Sequence, residues 1–349
     1  MPQQDGQLLV RCNLNIQPTI TIRPGFAVSA SSSIAAFCSH LTKVDSVMEK
    51  LKLSGSEQSQ WSRTVRLIWL WQDRSREFSL LKAIAFALLF VPPIWLVDQV
   101  ATGEFGPVPL GGMTYWSGLW ATAFLMLALA VTPACTIFRW SQLIDVRRMI
   151  GVTALAYTVA HIIIYFALRF WNFASIVHEM ATRLSLILAT VATIGLIALG
   201  ATSVDAAVRR MGAKGWQQLH NAIYAITGLA LIHYLLSPDA YPEQYLMSGM
   251  FFWLMGWRTL NRRRHGTDIR ALALLAVASS LFTGLLEAGW LWAYHGYEPL
   301  GTLDNNFSLV LGVSPAWKIV ILGLLIVVGG AGRQAHALKT AAFDARRIG

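Results

Sequence analysis

Three histidines, His161, His220 and His233, are the residues of this 349-residue chain best placed to do chemistry. Each lies within or beside a long apolar run. His161 is flanked by Ala160 and Ile162-Ile163-Ile164, and His233 by Ile232 and Tyr234. Ionisable side chains are costly at such depth in a membrane and usually face a bundle interior with a function. The other five, His40, His178, His265, His295 and His336, fall in polar segments or at the end of an apolar run. Solvation accounts for them. Cys12, Cys38 and Cys135 are far apart and form no CxxC. That excludes a zinc ribbon, a thioredoxin-like site and covalent haem attachment through CxxCH. Metal or haem chemistry in this chain therefore rests on histidine.

The elements that position these residues are read from composition. The chain is 55% hydrophobic and 13% charged, with 14 Trp and a mean hydropathy of +0.50. A soluble domain is about 25% charged, so most soluble folds and any disordered or collagen-like chain are excluded. The expected fold is all-α, a polytopic membrane helix bundle. A span needs about 20 apolar residues. Eight fit: Leu80–Val100, Trp116–Ile137, Met149–Phe170, Leu184–Thr202, Trp216–Leu236, Tyr245–Leu260, Ile269–Tyr294 and Trp317–Gly332. Pro92-Pro93 should kink the first. Residues 1–60 lack a sustained apolar period and read as a disordered tail; Met48 could also serve as the start. Residues 61–79 mix Trp61, Trp69 and Trp71 with Arg63, Arg66, Arg74 and Arg76, the pattern of an interfacial helix. Residues 80–260 form the six-span core, and residues 261–349 add two spans and a basic tail.

Charge sets the orientation. The chain has 28 Lys+Arg, 18 Asp+Glu and a net charge of +10. With the N-terminus inside, 25 of the 28 basic residues fall on inner segments, and only Arg169, Arg183 and Lys318 fall outside. Outer loops carry Asp98, Glu104, Glu179, Asp239, Glu243, Glu298 and Asp304 instead. The positive-inside rule therefore predicts both termini in the cytoplasm. The surplus is a topology signal and not a nucleic-acid patch.

The same frame gives depth. His161 lies 13 residues after Arg148 and His233 17 after Trp216, about 20 and 25 Å along helices that run the same way. Both reach the outer half. Two neutral imidazoles facing each other there can be the axial ligands of one b-type haem. An ion or metal path and structurally satisfied histidines are the other readings. His220 sits on the inner side, where a second haem or redox centre would lie. On an ideal helix it is about 140° round from His233, so a change of winding near Gly228 would be needed to stack two haems. Arg148 and Arg210 at the inner surface could pair with haem propionates or a flavin phosphate; alternatively they serve topology alone.

Several stretches carry a family resemblance. They are Val146-Arg147-Arg148-Met149-Ile150-Gly151, Ala160-His161, Arg209-Arg210-Met211-Gly212, Gly215-Trp216-Gln217-Gln218-Leu219-His220-Asn221 with Tyr224, and Ile232-His233-Tyr234. The region from about Leu80 to Trp257 resembles the MsrQ/YedZ family, the haem-binding membrane subunits of the bacterial methionine sulfoxide reductase system. These are relatives of the ferric reductase transmembrane domain. The resemblance implies an inner-membrane subunit that takes electrons from the quinone pool. It would pass them through haem b to a periplasmic molybdopterin enzyme that repairs oxidised methionine. It matches His161, His220 and His233 to the family's haem-linked histidines and implies an FMN, without residues for it. Such a chain is an electron-transfer subunit and not the catalytic one.

The long N-terminal tail and the two last spans depart from the family. Glu287 in the seventh span is the one buried acid, about two turns from its outer end, where snorkelling to the interface is the simpler expectation. Neither the N-terminal segment nor the C-terminal tail contains GxGxxG. This argues against a self-sufficient ferric reductase or NADPH oxidase. A ferric reductase-like cytochrome with another acceptor, and a His-lined ion or metal transporter, are the alternatives.

Overall fold

The computed structural model describes residues 79–237, 241–309 and 312–348, with the side chains of the last helix described to His336. The tail, the interfacial helix expected over 61–78 and His40 lie outside these residues. The described chain is helical: α1 (Leu80–Leu88), α2 (Val91–Ala101), α3 (Pro109–Ile137), α4 (Ile144–Leu168), α5 (Phe173–Thr182), α6 (Leu184–Ala201), α7 (Asp205–His220), α8 (Ile223–Leu235), α9 (Pro242–Arg262), α10 (Ile269–His295), α11 (Pro299–Phe307) and α12 (Pro315–Ile348). The all-α polytopic expectation holds. Among the described residues, six stretches are long and apolar enough to cross a membrane: Leu80–Ala101, Pro109–Ile137, Ser141–Leu168, Leu184–Ala201, Ile269–His295 and Pro315–His336.

Eight spans were expected, and α8 and α9 do not meet the measure by themselves. The 13 residues of α8 rise only about 20 Å. The ends of α9 carry Glu243, Arg258 and Arg262. Both are packed among other helices: α8 against α3, α6 and α9, and α9 against α3, α10 and α12. Protein neighbours, not lipid, cover much of their surface. The fifth expected span, Trp216–Leu236, is not one rod. The chain breaks at Asn221-Ala222, between α7 and α8. Gly228, where a change of winding was expected, lies inside regular α8. The short amphipathic α7 has no buried residue and bends at Gly212, whose φ of 73° lies in the region glycine adopts freely.

Prolines shape the long helices, and distant side chains repair what they break. Pro93 cannot donate to the carbonyl of Leu89. The chain kinks there, as expected, between α1 and α2, and the Tyr157 hydroxyl on α4 donates to that carbonyl at 2.7 Å. Pro133 lies inside α3 and leaves the Leu129 carbonyl without its helical donor. Arg258 on α9 fills the gap: its Nη2 donates to Leu129 at 2.9 Å and its Nη1 to Leu254 at 2.8 Å. The guanidinium also sits 4.7 Å over the Tyr224 ring. Replacing Arg258 by leucine should cost about 2 kcal/mol, because it strands a buried acceptor. In a Pro133→Ala background the cost should shrink, since the restored N–H reclaims Leu129. A double-mutant cycle on unfolding in mild detergent reads the difference.

The core lies on both sides of α3. One cluster joins Phe124, Leu125 and Ala128 of α3 to Val146, Ile150 and Ala154 of α4 and to Leu196 of α6. The other joins Met126 and Leu129 of α3 to Leu231, Trp253, Trp257 and Leu272. The loops and short helices at one end of the bundle carry Arg139, Arg209, Arg210, Lys214 and Arg263 (the basic end); those at the other carry Glu104, Glu179 and Glu298 (the acidic end). At the acidic end, α4 closes on Phe170 and Trp171, which are not glycines yet adopt φ of 51° and 57°. Beyond them, α5 is tied back through Glu179, which accepts from the Tyr165 hydroxyl at 2.9 Å and pairs with Arg169 and Arg183. Burial works against this carboxylate, but the Tyr165 hydroxyl and the two guanidiniums outweigh it and hold its pKa below the usual carboxylate range.

Glu287 does not snorkel. Its Oε2 is buried beside Tyr245 and Asn306, without a hydrogen bond among the described residues. The reason is α11, which folds back against α10 and covers this acid.

Candidate functional site

Four helices close a ring. Both α3 and α6 pack against α4 and against α8, while α4 and α8 make at most marginal contact with each other. His161 is on α4 and His233 on α8, so the two stand on the members that the ring holds apart. His161 is seven residues before the end of α4 and His233 two before the end of α8. Both ends are at the acidic end of the bundle. Both histidines thus stand toward the same end of the bundle.

Each ring is oriented by a backbone carbonyl from a neighbouring helix. His161 Nδ1–H donates to the Thr114 carbonyl on α3 at 2.9 Å, with Ser117 Oγ at 3.2 Å from the same nitrogen. His233 Nδ1–H donates to the Ser185 carbonyl on α6 at 2.9 Å. A carbonyl only accepts, so both imidazoles carry their hydrogen on Nδ1 and keep the lone pair on Nε2. That is the tautomer a metal-binding histidine needs, fixed by the partner it usually has. Gly118 completes the seat of His161: a Cβ there would lie 2.9 Å from Cε1 and 3.1 Å from Nδ1. Both imidazoles are partly buried and keep some accessible surface. Two such nitrogens across a gap are the donor set of a six-coordinate haem iron, and the residues present fit that group.

Sequence reasoning missed Thr114, Ser117, Gly118 and Ser185. Ser117-Gly118 inside an apolar helix could have signalled close approach. The two carbonyls could not, since every residue has one.

His220 is not brought to this pair. It ends α7, before the break, toward the basic end. Its ring stacks on Trp216 with centroids 3.8 Å apart, its Nδ1 donates to the Trp216 carbonyl at 3.1 Å, and its Nε2 is 3.4 Å from Ser203 Oγ. Arg148 is engaged by Asp205 at 2.7 Å, which ties α4 to the start of α7. Arg210 is exposed on α7. His178, His265, His295 and His336 are exposed. Among the described residues no group of three or more His, Cys, Asp or Glu could hold a metal ion.

Residues 117–231, from α3 into α8, match the family model described as ferric reductase like transmembrane component. That stretch includes His161 and His220 and stops two residues short of His233. The chain is 32% identical over 196 residues to the protein-methionine-sulfoxide reductase heme-binding subunit MsrQ of Azospira oryzae, covering 55% of this chain and 84% of that protein. Its likeness to the subunit of the same name from Polaromonas naphthalenivorans is 33% over 185 residues, 52% of this chain and 84% of that one. It is also 32% identical over 202 residues to the magnetosome protein MamZ of Paramagnetospirillum magneticum, covering 55% of this chain and 31% of that protein. No solved structure matches the chain.

Proposed function

The chain belongs to the MsrQ family of haem-binding membrane subunits, and from that premise we propose that it carries electrons across the bacterial inner membrane for methionine sulfoxide reduction. The donor is the quinone pool. The acceptor is a periplasmic molybdopterin-containing reductase, which performs the bond chemistry. The observation that carries the reading is the pair of carbonyl-held imidazoles, His161 on Thr114 and His233 on Ser185. These two residues hold one b-type haem, which when bound supplies a one-electron iron couple.

The chain's own part is to hold, orient and insulate. The carbonyls keep Nε2 of each ring unprotonated. Apolar walls from α3, α4, α6 and α8 exclude water and favour the less charged form of the iron. The acidic end faces the periplasm and the basic end the cytoplasm, in line with the 25 basic residues on the inner segments. The histidine pair then lies near the periplasmic partner. His220, packed on Trp216, ligates or tunes a second centre toward the cytoplasmic side. The family's FMN is assigned to no residue here.

The experiment is haem reduction in the purified protein. A short-chain quinol should reduce the haem, and the periplasmic reductase with methionine sulfoxide should reoxidise it. A colourless preparation from haem-replete cells is the result that ends the redox reading. Reoxidation by ferric chelates alone points to a ferric reductase instead.

A further inference from the structure

At the acidic end, a cavity of about 550 Å³ opens between the start of α3 and the start of α9. We propose that it binds the headgroup of a quinol-class lipid carrier, with Glu243 accepting its proton. The inference rests on the electron-transfer reading above and names the site at which the donor acts.

The walls suit a flat ring. Tyr115, Trp116 and Tyr241 line the cavity. The Tyr115 ring lies 4.1 Å from that of Tyr241 and 5.3 Å from that of Trp116, and Trp95 backs Trp116 at 4.7 Å. Gly111 lines it too, and a Cβ there would meet nothing within 4 Å. The volume is that of a site for a small organic ligand.

The polar groups suit a hydroxyl on that ring. Among the described residues, Glu243 is the one carboxylate in the lining. The Tyr115 hydroxyl donates to its Oε2 at 3.0 Å, and the Tyr234 hydroxyl donates to the Tyr115 oxygen at 3.2 Å. Both donors run toward the carboxylate. A carboxylate has two oxygens and several lone pairs, so one set among aromatic walls can take a further hydrogen bond from a ligand hydroxyl. One acid with two phenols is a poor metal site, whereas apolar faces with a single acceptor match a hydroquinone.

The cavity is also joined to both histidines by the chain. Tyr115 follows Thr114, whose carbonyl holds His161, and Tyr234 follows His233. In becoming a quinone, a quinol loses two protons and two electrons. The first hydroxyl proton would pass to the Glu243 carboxylate and then to water at the bundle end. The second would follow once the carboxylate is free again. The two electrons would leave one at a time to the centre that His161 and His233 would hold, with the reductase proposed above as acceptor taking the first before the second leaves.

The test uses the full chain in detergent, loaded with haem, and a photoreactive azidoquinone. Irradiation should label peptides holding Tyr115, Trp116 or Tyr241, and excess unlabelled quinone should compete. Gly111→Leu should fill the cavity without touching its walls and cut labelling roughly tenfold. Glu243→Gln should slow quinol-driven haem reduction by roughly tenfold or more, with the haem spectrum and reduction by dithionite unchanged. Labelling elsewhere overturns the site, and so does a Gln variant with native spectrum and native rate. Should Glu243→Gln disturb the spectrum, Gly111→Leu decides alone: undiminished labelling and rate refute the site. A wild-type protein that dithionite reduces and quinol does not refutes the donor reading itself, a different result from either.

Discussion

Replacing His161 or His233 by alanine is expected to abolish the low-spin haem b spectrum of the purified protein. Removing a hydrogen-bond partner of a metal ligand costs a site about 10–100-fold in affinity; removing the ligand should cost at least as much. The two rings are equivalent in construction, each held by one backbone carbonyl at 2.9 Å, so either change should act alike. Neither should unfold the bundle. Both side chains keep accessible surface, so truncation removes less packing than it would in the fully buried core. The measurement is haem per protein by pyridine haemochrome, with the reduced spectrum alongside. His265→Ala, at an exposed position, should bind haem as the wild type does. His220→Ala should keep the signal of the His161–His233 site, because His220 lies beyond the break at Asn221-Ala222. Full haem retention in both His161→Ala and His233→Ala would contradict the assignment.

The depth of that pair was legible because it depends only on charge and rise per residue. Arg148 and Trp216 mark one boundary, and counting from them places both histidines in the same half. The kink before Pro92-Pro93 was legible because a missing N–H acts locally. The break at Asn221-Ala222 was not. No proline or glycine stands at that point in Leu219-His220-Asn221-Ala222-Ile223, and the apolar run beyond it begins without a stop signal. What changes there is the surrounding structure: an amphipathic helix without buried residues gives way to one enclosed by α3, α6 and α9. The helix count turns on a related point. Hydropathy measures what lipid demands, and α8 and α9, packed among other helices, fall below the measure that six stretches meet. Long-range repairs were equally hidden. Nothing local to Pro133 says that Arg258 will supply its missing donor, and nothing local to His161 says that Thr114 will hold its ring.

Gly118 gives the second large effect, and its sign is informative. In the interior of a helix an alanine is worth about 1 kcal/mol more than a glycine. Gly118 lies inside α3, so on propensity alone Gly118→Ala should stabilise the protein. The structure argues the opposite. A Cβ at this position would stand 2.9 Å from His161 Cε1 and 3.1 Å from Nδ1, closer than carbon and nitrogen tolerate without movement. The ring cannot retreat freely, because its Nδ1–H is bound to Thr114 on the same helix, one turn away. Turning it to relieve the contact breaks that bond and redirects Nε2. Gly118→Ala should therefore lower haem content several-fold and shift the low-spin signal of the ligated iron. Gly118→Val, with two more carbons against the ring, should lose most of the haem, as His161→Ala does. Both variants should still fold, since the displaced His161 ring is only partly buried. The comparison is haem per protein with the electron paramagnetic resonance spectrum of the oxidised state. A Gly118→Ala protein that melts higher and keeps native haem would mean that the His161 ring is not seated against α3 in the loaded protein.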